Sequence, residues 1–350
     1  MSEAGARPAT APLSAARRAP RLDLLAIAVR FQSLIGLVLV AIGGIVFSPV
    51  RHGHVLFLAP DNIANIIRAI SETGIIAVGM TFVIITAGID LSVGALLSLS
   101  SVLTATMMVG VGWGLLPTLL AVLAVGVAFG AAQGWISTRF RLEPFIVTLA
   151  GLQVARGLAL VVSGNQYINI SYGEGPGLAP PAFAVLGDRL FGNIVPVATL
   201  VFVVVAVVAV FVLNFTRFGR YVFAVGGNER AARLSGLPVT AVKIAVYAIT
   251  GFVSAIAGVV HAGQFNFGSA NDGTGYELTA IASVVIGGTS LFGGAGSLVG
   301  TVAGAVMLGA LANILQLNNI NAALQLLATG AIIVLAAVLQ SLVRRREGFR

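Results

Sequence analysis

The sequence has no cysteine among its 350 residues, only three histidines and one lysine, and only 9% of its residues are charged. The absence of cysteine excludes disulfides, thiolate metal sites and thiol nucleophiles. The histidines lack metal-ligand spacing, and we expect His52 and His54 to be solvated loop residues. Without a His, Cys or paired-carboxylate constellation, an intramembrane enzyme is the least favoured function class.

The chain also lacks a phosphate-binding loop. Such a loop requires Gly-Lys-Ser or Gly-Lys-Thr, whereas the only lysine, Lys243, follows Val242. The chain therefore cannot hydrolyse ATP by that route, and we expect it to bind no cofactor. The nearest lookalike, residues 294–300, instead opens an apolar run with glycine at 296, 300 and 304, which predicts a smooth helix face for close packing.

Apolar residues dominate the chain, at 58% of the total with a mean hydropathy of +1.01. Several apolar runs approach or exceed the roughly 18 to 20 residues that a helix needs to cross the hydrocarbon core, and they do not alternate as barrel strands do. We therefore predict an all-α, polytopic transmembrane bundle of about ten spans. The predicted spans are 31–50, 74–89, 91–110, 113–136, 144–163, 195–215, 243–262, 279–293, 297–317 and 323–342. The second and eighth are short and run into glycine-rich turns, so each is a candidate broken or tilted helix.

The distribution of basic residues predicts the orientation of the bundle. With both termini cytoplasmic, sixteen of the twenty Lys and Arg residues fall on the cytoplasmic side, as the positive-inside rule requires. This bias accounts for the net charge of +8 without any nucleic-acid partner. We divide the chain into a disordered basic cytoplasmic tail (1–30), a transmembrane domain (31–342) and a basic cytoplasmic C-terminus (343–350), since the tail is too poor in apolar residues to fold.

A weak internal repeat relates two glycine-rich turns, residues 87–94 and 287–294, at an offset of 200 residues. Both turns lie at the cytoplasmic end of a predicted helix pair, which makes the repeat parallel, as in many transporters. Chance similarity of glycine-rich turns is the alternative. Asp90 in the first turn is a charge between two apolar spans, which favours either a functional role or, more simply, capping of the third span.

The predicted outer side carries further polar candidates. Arg156, in the fifth span, could contact a polar substrate or a facing carboxylate, or extend to the outer interface. Asn266, Asn271 and Tyr276 lie in an outer segment whose amides and aromatic ring suit sugar hydroxyls and faces. Together with Asp90 these are the candidate translocation-path or gating residues. We also interpret residues 274–277 as a capping box for the eighth span and residue 61 as the cap of an amphipathic turn.

The longest polar segment, residues 216–243, contains a well-delimited short helix. Asn228 is a good N-cap, Gly236 fits the left-handed position after the last turn, and Pro238 prevents continuation. Residues 229 and 233 form a favourable acid–base pair four apart, and residues 231 and 234 give a small apolar face. Such a face is sized to dock on another protein.

Four stretches carry a family resemblance. They read GMTFVIITAGIDLSVGALLSL (79–99), PFIVTLAGLQVARGLAL (144–160), GRYVFAVGGNERAARLSGLPVTAVK (219–243) and GTGYELTAIASVVIGGTSLFGGAGSLVGT (273–301). In them the chain resembles the permease subunits of bacterial ATP-binding cassette (ABC) importers of the ribose, xylose and galactose type, within the branched-chain amino acid/ribose permease superfamily. The resemblance covers nearly the whole chain beyond the tail.

The resemblance implies the ABC importer permease fold and a function in moving a monosaccharide or related polyol across the bacterial inner membrane. It implies a permease homodimer, a periplasmic sugar-binding protein and a cytoplasmic ATPase that uses ATP and magnesium, in agreement with the missing phosphate loop. The ATPase would contact the predicted coupling helix: Asn228, Glu229, Arg230, Ala231, Ala232, Arg233, Leu234, Ser235 and Gly236. The alternative is an ion-coupled secondary transporter or channel that uses the Asp90 region, which would be favoured by uptake that survives ATP depletion.

Overall fold

The computed structural model describes residues 32–51 and 53–346, which are largely helical. Predictions for residues 1–30, His52 and residues 347–350 lie outside the described residues. The helices are α1 (Gln32–Val46), α2 (Pro60–Ile85), α3 (Val93–Ala105), α4 (Leu115–Phe140), α5 (Pro144–Ser163), α6 (Val197–Phe215), α7 (Arg217–Gly227), α8 (Glu229–Leu234), α9 (Val239–Phe265), α10 (Tyr276–Ile286), α11 (Leu298–Leu317) and α12 (Ala322–Arg346). A π-helical segment, Thr106–Gly110, extends α3.

Within residues 32–51 and 53–346, the strands form three antiparallel pairs of two residues each. They are β1 (Val50–Arg51) with β2 (His54–Val55), β3 (Ile168–Asn169) with β6 (Phe267–Gly268), and β4 (Arg189–Leu190) with β5 (Val195–Pro196). Two 3-10 helices, Leu56–Leu58 and Pro181–Gly187, complete the regular structure. The predicted all-α class is confirmed.

Apolar helices occupy all ten predicted spans. By length and composition, α2, α3 with its π-helical extension, α4, α5, α6, α9 and α11 could each cross a membrane. Shorter apolar segments lie in α1, α10 and α12. The chain is therefore a polytopic helical membrane protein.

The predicted second span was too short. Instead of starting at residue 74, α2 runs without a break from Pro60, because the predicted amphipathic turn continues directly into the span. Asp61 is not its cap: Ala59 is the N-cap, Pro60 is the first helical residue, and Asp61 follows in the first turn. Asp61 instead lies 3.4 Å from a guanidinium nitrogen of Arg189.

The predicted eighth span is a short helix, as its glycine-rich end suggested. α10 has only 11 residues and is followed by a non-helical loop, residues 287–297. The predicted capping box is wrong, because the N-cap is Gly275 in the left-handed region and makes no side-chain cap. The Thr274 hydroxyl donates instead to the Asn271 carbonyl at 2.8 Å.

α9 is the central helix and packs against α2, α3 and α4. Its backbone approaches α4 so closely that a Cβ on Gly130 would lie 2.1 Å from the Tyr247 carbonyl oxygen. Close backbone contact replaces the hydrophobic drive that helices lack in lipid. The predicted glycine face likewise packs: Gly300 and Gly304 of α11 lie against the α10 backbone, whereas Gly296 precedes the helix.

One end of the bundle, here named the α8 end, contains the turn 86–92, residues 216–238 and the loop 287–297. A backbone hydrogen bond of 2.9 Å from Gly294 N–H to the Ile85 carbonyl joins two of these segments. The repeat-related turns therefore lie side by side. The opposite end carries residues 47–59, the connection 164–196 and residues 318–321.

Candidate coupling surface and buried polar network

The short helix α8 has both predicted ends. The Asn228 side chain accepts a hydrogen bond from Ala231 N–H at 2.9 Å, so the N-cap is confirmed. At the other end Gly236 has a φ of +78°, the left-handed conformation that favours glycine. Its N–H donates to the Arg233 carbonyl, and Leu237 N–H reaches back to the Ala232 carbonyl, both at 3.1 Å. These two bonds are a Schellman motif, and they stop the helix after six residues.

Glu229 fastens α8 to the start of α9. Its carboxylate lies 2.9 Å from Arg233, as the spacing predicted, and 2.8 Å from the Lys243 ammonium. Partial burial raises the pKa of Glu229, but the hydrogen bonds and charges of Lys243 and Arg233 outweigh it, so the net pKa is lowered. The Lys243 bond was not predicted, because it joins residues 14 apart through the Gly-Leu-Pro bend.

The apolar residues of α8 divide between the bundle and the solvent. Ala232 is buried and anchors the helix, while Ala231 and Leu234 are exposed. Leu234 is 82% exposed. The predicted docking face of Ala231 and Leu234 is therefore open to a partner, together with Arg230 and Ser235, which are also exposed.

A second helix, α7, was missed by the sequence analysis. Three glycines in Arg217–Gly227 argue against a helix on propensity alone. The available signal was Thr216, whose hydroxyl accepts from Gly219 N–H at 3.2 Å as an N-cap, followed by Val222 and Val225 three apart on the buried face.

The end of α7 touches both repeat-related turns. A Cβ on Gly226 would lie 1.7 Å from the Ile85 carbonyl oxygen and 2.7 Å from Gly294 N. Gly293 is also closely packed, because a Cβ there would lie 2.9 Å from both the Ala87 methyl and the Gly226 carbonyl oxygen. This contact of three backbones, here named the glycine junction, immediately precedes α8.

Asp90 lies at the α8 end and is almost fully buried, at 1% exposure. Its Oδ1 accepts from Ser92 N–H at 2.9 Å and from the Ser92 hydroxyl at 2.7 Å. The N-cap of α3 is Ser92, so the prediction that Asp90 itself caps the span is wrong in position, although its carboxylate does accept a backbone N–H. Gln133 donates to the Ser92 hydroxyl at 2.9 Å and extends this cluster to α4.

The opposite half of the bundle contains a buried polar network centred on Glu72. Its Oε2 lies 2.8 Å from His261 Nδ1 and accepts from the Tyr276 hydroxyl at 3.3 Å. Its Oε1 accepts from Gln264 at 3.1 Å, and Gln264 in turn accepts from Arg68 at 2.8 Å. Glu72, His261 and Gln264 are all buried.

The loop 266–275 supplies the other half of the network. Asp272 Oδ2 accepts from the Ser101 hydroxyl and Ser269 N–H, both at 2.8 Å, and lies 3.3 Å from His261 Nε2. This approach does not meet the geometry of a hydrogen bond. Arg156 from α5 donates to the carbonyls of Ala270 and Asp272, the latter at 2.9 Å. Arg156 therefore contacts the loop backbone.

The network lies deep within the bundle. Glu72 is twelve residues from the start of α2 and thirteen from its end, or about 18 to 20 Å from each at 1.5 Å per residue. The loop 266–275 meets it there, between α9 and the short α10. Charges and irregular backbone at such depth are costly in lipid and typically line a functional path.

The structure brings together four of the five candidate path residues. Arg156, Asn271 and Tyr276 lie in or against the loop 266–275, and Asn266 ends α9 beside it, where it accepts from the Tyr172 hydroxyl at 2.6 Å. Asp90 lies apart from them, at the α8 end. The central residues Glu72, His261 and Asp272 were missed.

Glu72 was overlooked because the predicted second span started two residues after it. An acid in the middle of a 26-residue apolar helix would have been a strong signal had the helix been predicted in full. His261 and Asp272 gave no local signal, since their contacts with Glu72 and Ser101 join distant parts of the chain.

The bundle also contains a cavity of about 290 Å³ that is unsuited to a sugar. It lies between α4, α6, α9 and the 3-10 helix Pro181–Gly187, with Leu119, Phe183 and Ile256 among its exclusively apolar lining. Sugar hydroxyls need hydrogen-bond partners when buried, and this cavity offers none.

Comparison with known proteins places the geometry in a family. Residues 62–337 match the model of the branched-chain amino acid transport system/permease component family. The match includes α2 to α11 almost completely, and hence both the exposed face of α8 and the polar network. No solved structure gave a significant match.

Individual relatives are sugar permeases. The chain is 40% identical over 286 residues to the ribose import permease protein RbsC of Escherichia coli K12, covering 81% of this chain and 87% of that protein. It is 41% identical over 286 residues to RbsC of Bacillus subtilis, covering 81% and 85%. It is 35% identical over 343 residues to the xylose transport system permease protein XylH of E. coli K12, covering 83% and 87%.

Proposed function

The chain belongs to the branched-chain amino acid transport system permease family, and on that premise we propose that it is the membrane-spanning permease of an ABC importer for a sugar. The relatives named for ribose and xylose import support this substrate class. The chain is a transport subunit embedded as a multi-pass protein in the bacterial inner membrane. The sugar is a monosaccharide or a related polyol.

The proposed mechanism rests on the way α8 is held and exposed. It is capped at both ends, pinned to the bundle through Ala232 and Lys243, and presents Ala231 and Leu234 to solvent. A capped helix of six residues gains little stability alone, so its fixed shape serves a contact surface. A separate cytoplasmic ATPase, which uses ATP and magnesium, docks on α8 and moves it.

Motion of α8 reaches the bundle through the glycine junction. Because Gly226 lies in backbone contact with the end of α2 and with the loop 287–297, displacement of α7 and α8 displaces both repeat-related turns. Those turns begin α3 and α11. The junction thereby converts ATPase closure into movement of the helices that flank the path.

The polar network around Glu72 is the outer gate of that path. Its hydrogen bonds tie α2, α9 and α10 together, and the bond from Ser101 to Asp272 ties α3 to the adjoining loop, which supports a gate that these bonds hold closed. Opening exchanges these internal bonds for bonds to sugar hydroxyls, for which carboxylate, amide, imidazole and phenol groups are suitable partners.

The full transporter contains two permease copies, the cytoplasmic ATPase and a periplasmic sugar-binding protein. The basic residues concentrated at the α8 end support a cytoplasmic position for that end and for both termini. The binding protein then docks at the opposite end, where residues 164–196 and the loop 266–275 are joined by the β3–β6 pair.

The proposal is tested by uptake of labelled ribose and xylose in vesicles that contain the permease, with and without the ATPase subunit. We expect uptake of at least one sugar that requires ATP and the ATPase and persists after the ion gradients are collapsed. Uptake that continues after ATP depletion but stops with the ion gradient would instead identify an ion-coupled carrier.

A further inference from the structure

Four fully buried side-chain atoms have no hydrogen-bond partner within the described part of the chain. They are Ser100 Oγ, the Tyr247 hydroxyl, Ser254 Oγ and His261 Nε2. The residues are buried, with His261 the most exposed of them at 7%. Asp272 Oδ2 lies 3.3 Å from His261 Nε2 but outside hydrogen-bond geometry. A buried polar atom without a partner costs free energy, so each such atom in a native fold calls for an explanation.

Three of the four residues lie on one face of α9. Tyr247, Ser254 and His261 are spaced seven residues apart, which is close to two helical turns, so they follow one another along one side of the helix. At 1.5 Å per residue they extend over about 21 Å. These three residues are here named the α9 polar stripe.

The α9 polar stripe joins the two polar clusters of the bundle. At the α8 end, a Cβ on Gly88 would lie 2.5 Å from the Tyr247 hydroxyl, so this hydroxyl lies against the turn that contains Asp90. At the opposite end, His261 Nδ1 lies 2.8 Å from Glu72 Oε2. A line of polar side chains therefore runs along α9 from the first repeat-related turn to the Glu72 network.

The fourth residue, Ser100, lies across from the stripe on α3. Gly258 follows Ser254 by one turn of α9 and packs closely on α3. A Cβ on Gly258 would lie 2.4 Å from the Leu97 carbonyl oxygen and 2.5 Å from Ser100 Cβ. The two helices are therefore in contact here, and no space for a sugar separates them in this structure.

The two serines do not use the partner that their own helices offer. Elsewhere in the bundle, the hydroxyls of the buried Ser71 and Ser283 donate to the carbonyl four residues earlier, at 2.6 and 2.8 Å. The hydroxyls of Ser100 and Ser254 make no such bond. They are consequently available to a group that is not part of the helix.

We propose that the α9 polar stripe and Ser100 form the wall of the sugar path, and that their unpartnered atoms bind sugar hydroxyls when α3 moves away from α9. This inference rests on the proposed function. Hydroxyl groups both donate and accept, and an imidazole nitrogen does one or the other, so each finds a partner on a sugar. The turn 86–92 begins α3, so the displacement that the glycine junction transmits also uncovers the stripe.

The spacing of the stripe suits transport rather than tight binding. Its groups are distributed along about 21 Å, so a monosaccharide contacts only part of them at any moment. Passage requires sites that are favourable enough to enter and weak enough to leave, and several weak sites in series meet that requirement. The unpartnered atoms also destabilise the closed packing of α3 on α9, which lowers the cost of opening.

The cysteine-free chain allows a direct test in the full-length permease. Ser254→Cys is nearly isosteric and introduces the only thiol. Ser283→Cys is the matched control, because Ser283 is equally buried but its hydroxyl is bonded within α10. Vesicles contain the permease with its ATPase subunit and binding protein. Labelling by a small hydrophilic methanethiosulfonate is measured without ATP, with ATP, and with ATP plus ribose or xylose.

We expect Ser254→Cys to be unreactive without ATP, to react with ATP, and to be protected by the sugar that is taken up. Ser283→Cys should be unreactive throughout. The inference is overturned if Ser254→Cys takes up sugar but never reacts. It is equally overturned if Ser283→Cys reacts to the same extent.

Substitutions that delete single hydroxyls give an independent measurement. Ser100→Ala, Ser254→Ala and Tyr247→Phe each remove an unpartnered group, so thermal unfolding should occur at or above the wild-type temperature. Each should nevertheless lower kcat/KM for sugar uptake about tenfold, as expected for one lost hydrogen bond to the sugar. Ser283→Ala, which loses a bond within its helix, should show the reverse: lower stability and unchanged uptake.

The failure of this inference and the failure of the proposed function give different results. Wild-type uptake by all three hydroxyl-deleted variants, in a transporter that requires ATP, would overturn the sugar contacts and leave the ABC permease assignment intact. Wild-type uptake that requires no ATP would overturn the proposed function itself.

Discussion

Gly226 and Ile85 lie in backbone contact, so close that a Cβ on Gly226 would overlap the Ile85 carbonyl oxygen at 1.7 Å. Gly227, one residue later, has nothing within 4 Å of the same position. The contact joins the last turn of α7 to the end of α2. It makes the segment that precedes α8 a part of the bundle rather than a free loop.

The difference in the space around Gly226 and Gly227 predicts opposite outcomes for substitutions at these two adjacent residues. Gly226→Ala should destabilise the α8 end by about 3 kcal/mol or more, because backbone rather than a flexible side chain must move. It should also abolish ATP-driven uptake. Gly227→Ala is the matched control and should retain folded yield and uptake. Equal behaviour of the two variants in thermal unfolding and transport would refute the glycine junction.

The Glu229 carboxylate should stabilise the position of α8 modestly. Its ion pairs are partly exposed, so Glu229→Gln should lower the free energy of unfolding by only about 0.5 kcal/mol. The effect should be smaller in high salt. Uptake should fall slightly at low ionic strength, whereas Arg230→Gln at an exposed neighbouring site should change it less. A large loss of uptake that is independent of salt would contradict this role.

The stabilisation of α8 by the Glu229 carboxylate depends on pH, and the direction of the dependence follows from the pKa. The folded pKa of Glu229 is lowered from its ordinary value of 4.5. The stabilisation is therefore fully present above 4.5 and is lost as the pH falls through the lower folded value. Between neutral and mildly acidic pH, the ATPase association of wild type and Glu229→Gln should run parallel. Curves that diverge around pH 6 to 7 would require another titrating group.

The Glu72 network predicts a graded response to substitution. Glu72→Ala removes the acceptor shared by His261, Gln264 and Tyr276 and should lower stability by about 3 kcal/mol, as for a broken buried pair. Glu72→Gln keeps one acceptor oxygen and should fold better than the alanine variant while altering uptake.

Folded yield by size-exclusion chromatography and sugar uptake provide the two measurements for the Glu72 variants. Glu174→Gln, at an exposed acid in the connection 164–196, is the control. If Glu72→Ala folds and transports as wild type does, the network is not the gate.

Substitutions of Asp90 distinguish an ATP-driven permease from an ion-coupled carrier. In an ATP-driven permease its buried carboxylate orients Ser92, and Asn offers the same Oδ1 acceptor, so Asp90→Asn should retain most uptake. Asp90→Leu should lose it. In an ion-coupled carrier that uses Asp90, the Asn variant would lose ion-driven uptake. Uptake by wild type and the two variants, measured once with ATP and collapsed ion gradients and once with an ion gradient and no ATP, distinguishes these cases.

Sequence reasoning succeeded where the determining interactions are local. Asn228 and Gly236 act on backbone groups within four residues, and the ends of α8 were predicted from them. Span positions follow from apolar length in the same way, and α5 has the predicted bounds of 144 and 163.

Sequence reasoning failed where segments that are distant in the chain come into contact. The partners Glu72 and His261 are 189 positions apart. The contact of Gly226 with Ile85 likewise depends on the packing of α7 against α2, which no local pattern encodes. The Glu72 network and the glycine junction are tertiary features, and only the folded chain places their residues together.

The most direct test of the central claim is ATP-driven sugar uptake by the double variant Ala231→Asp/Leu234→Asp, in vesicles that also contain the ATPase subunit. Charges on the exposed α8 face should prevent docking while leaving the buried Ala232 anchor and both caps in place. We predict normal membrane insertion and folded yield with uptake lost, and near-normal uptake in the conservative variant Ala231→Ser/Leu234→Met. Wild-type uptake by the double Asp variant would contradict the assignment of α8 as the site where ATP hydrolysis is coupled to transport.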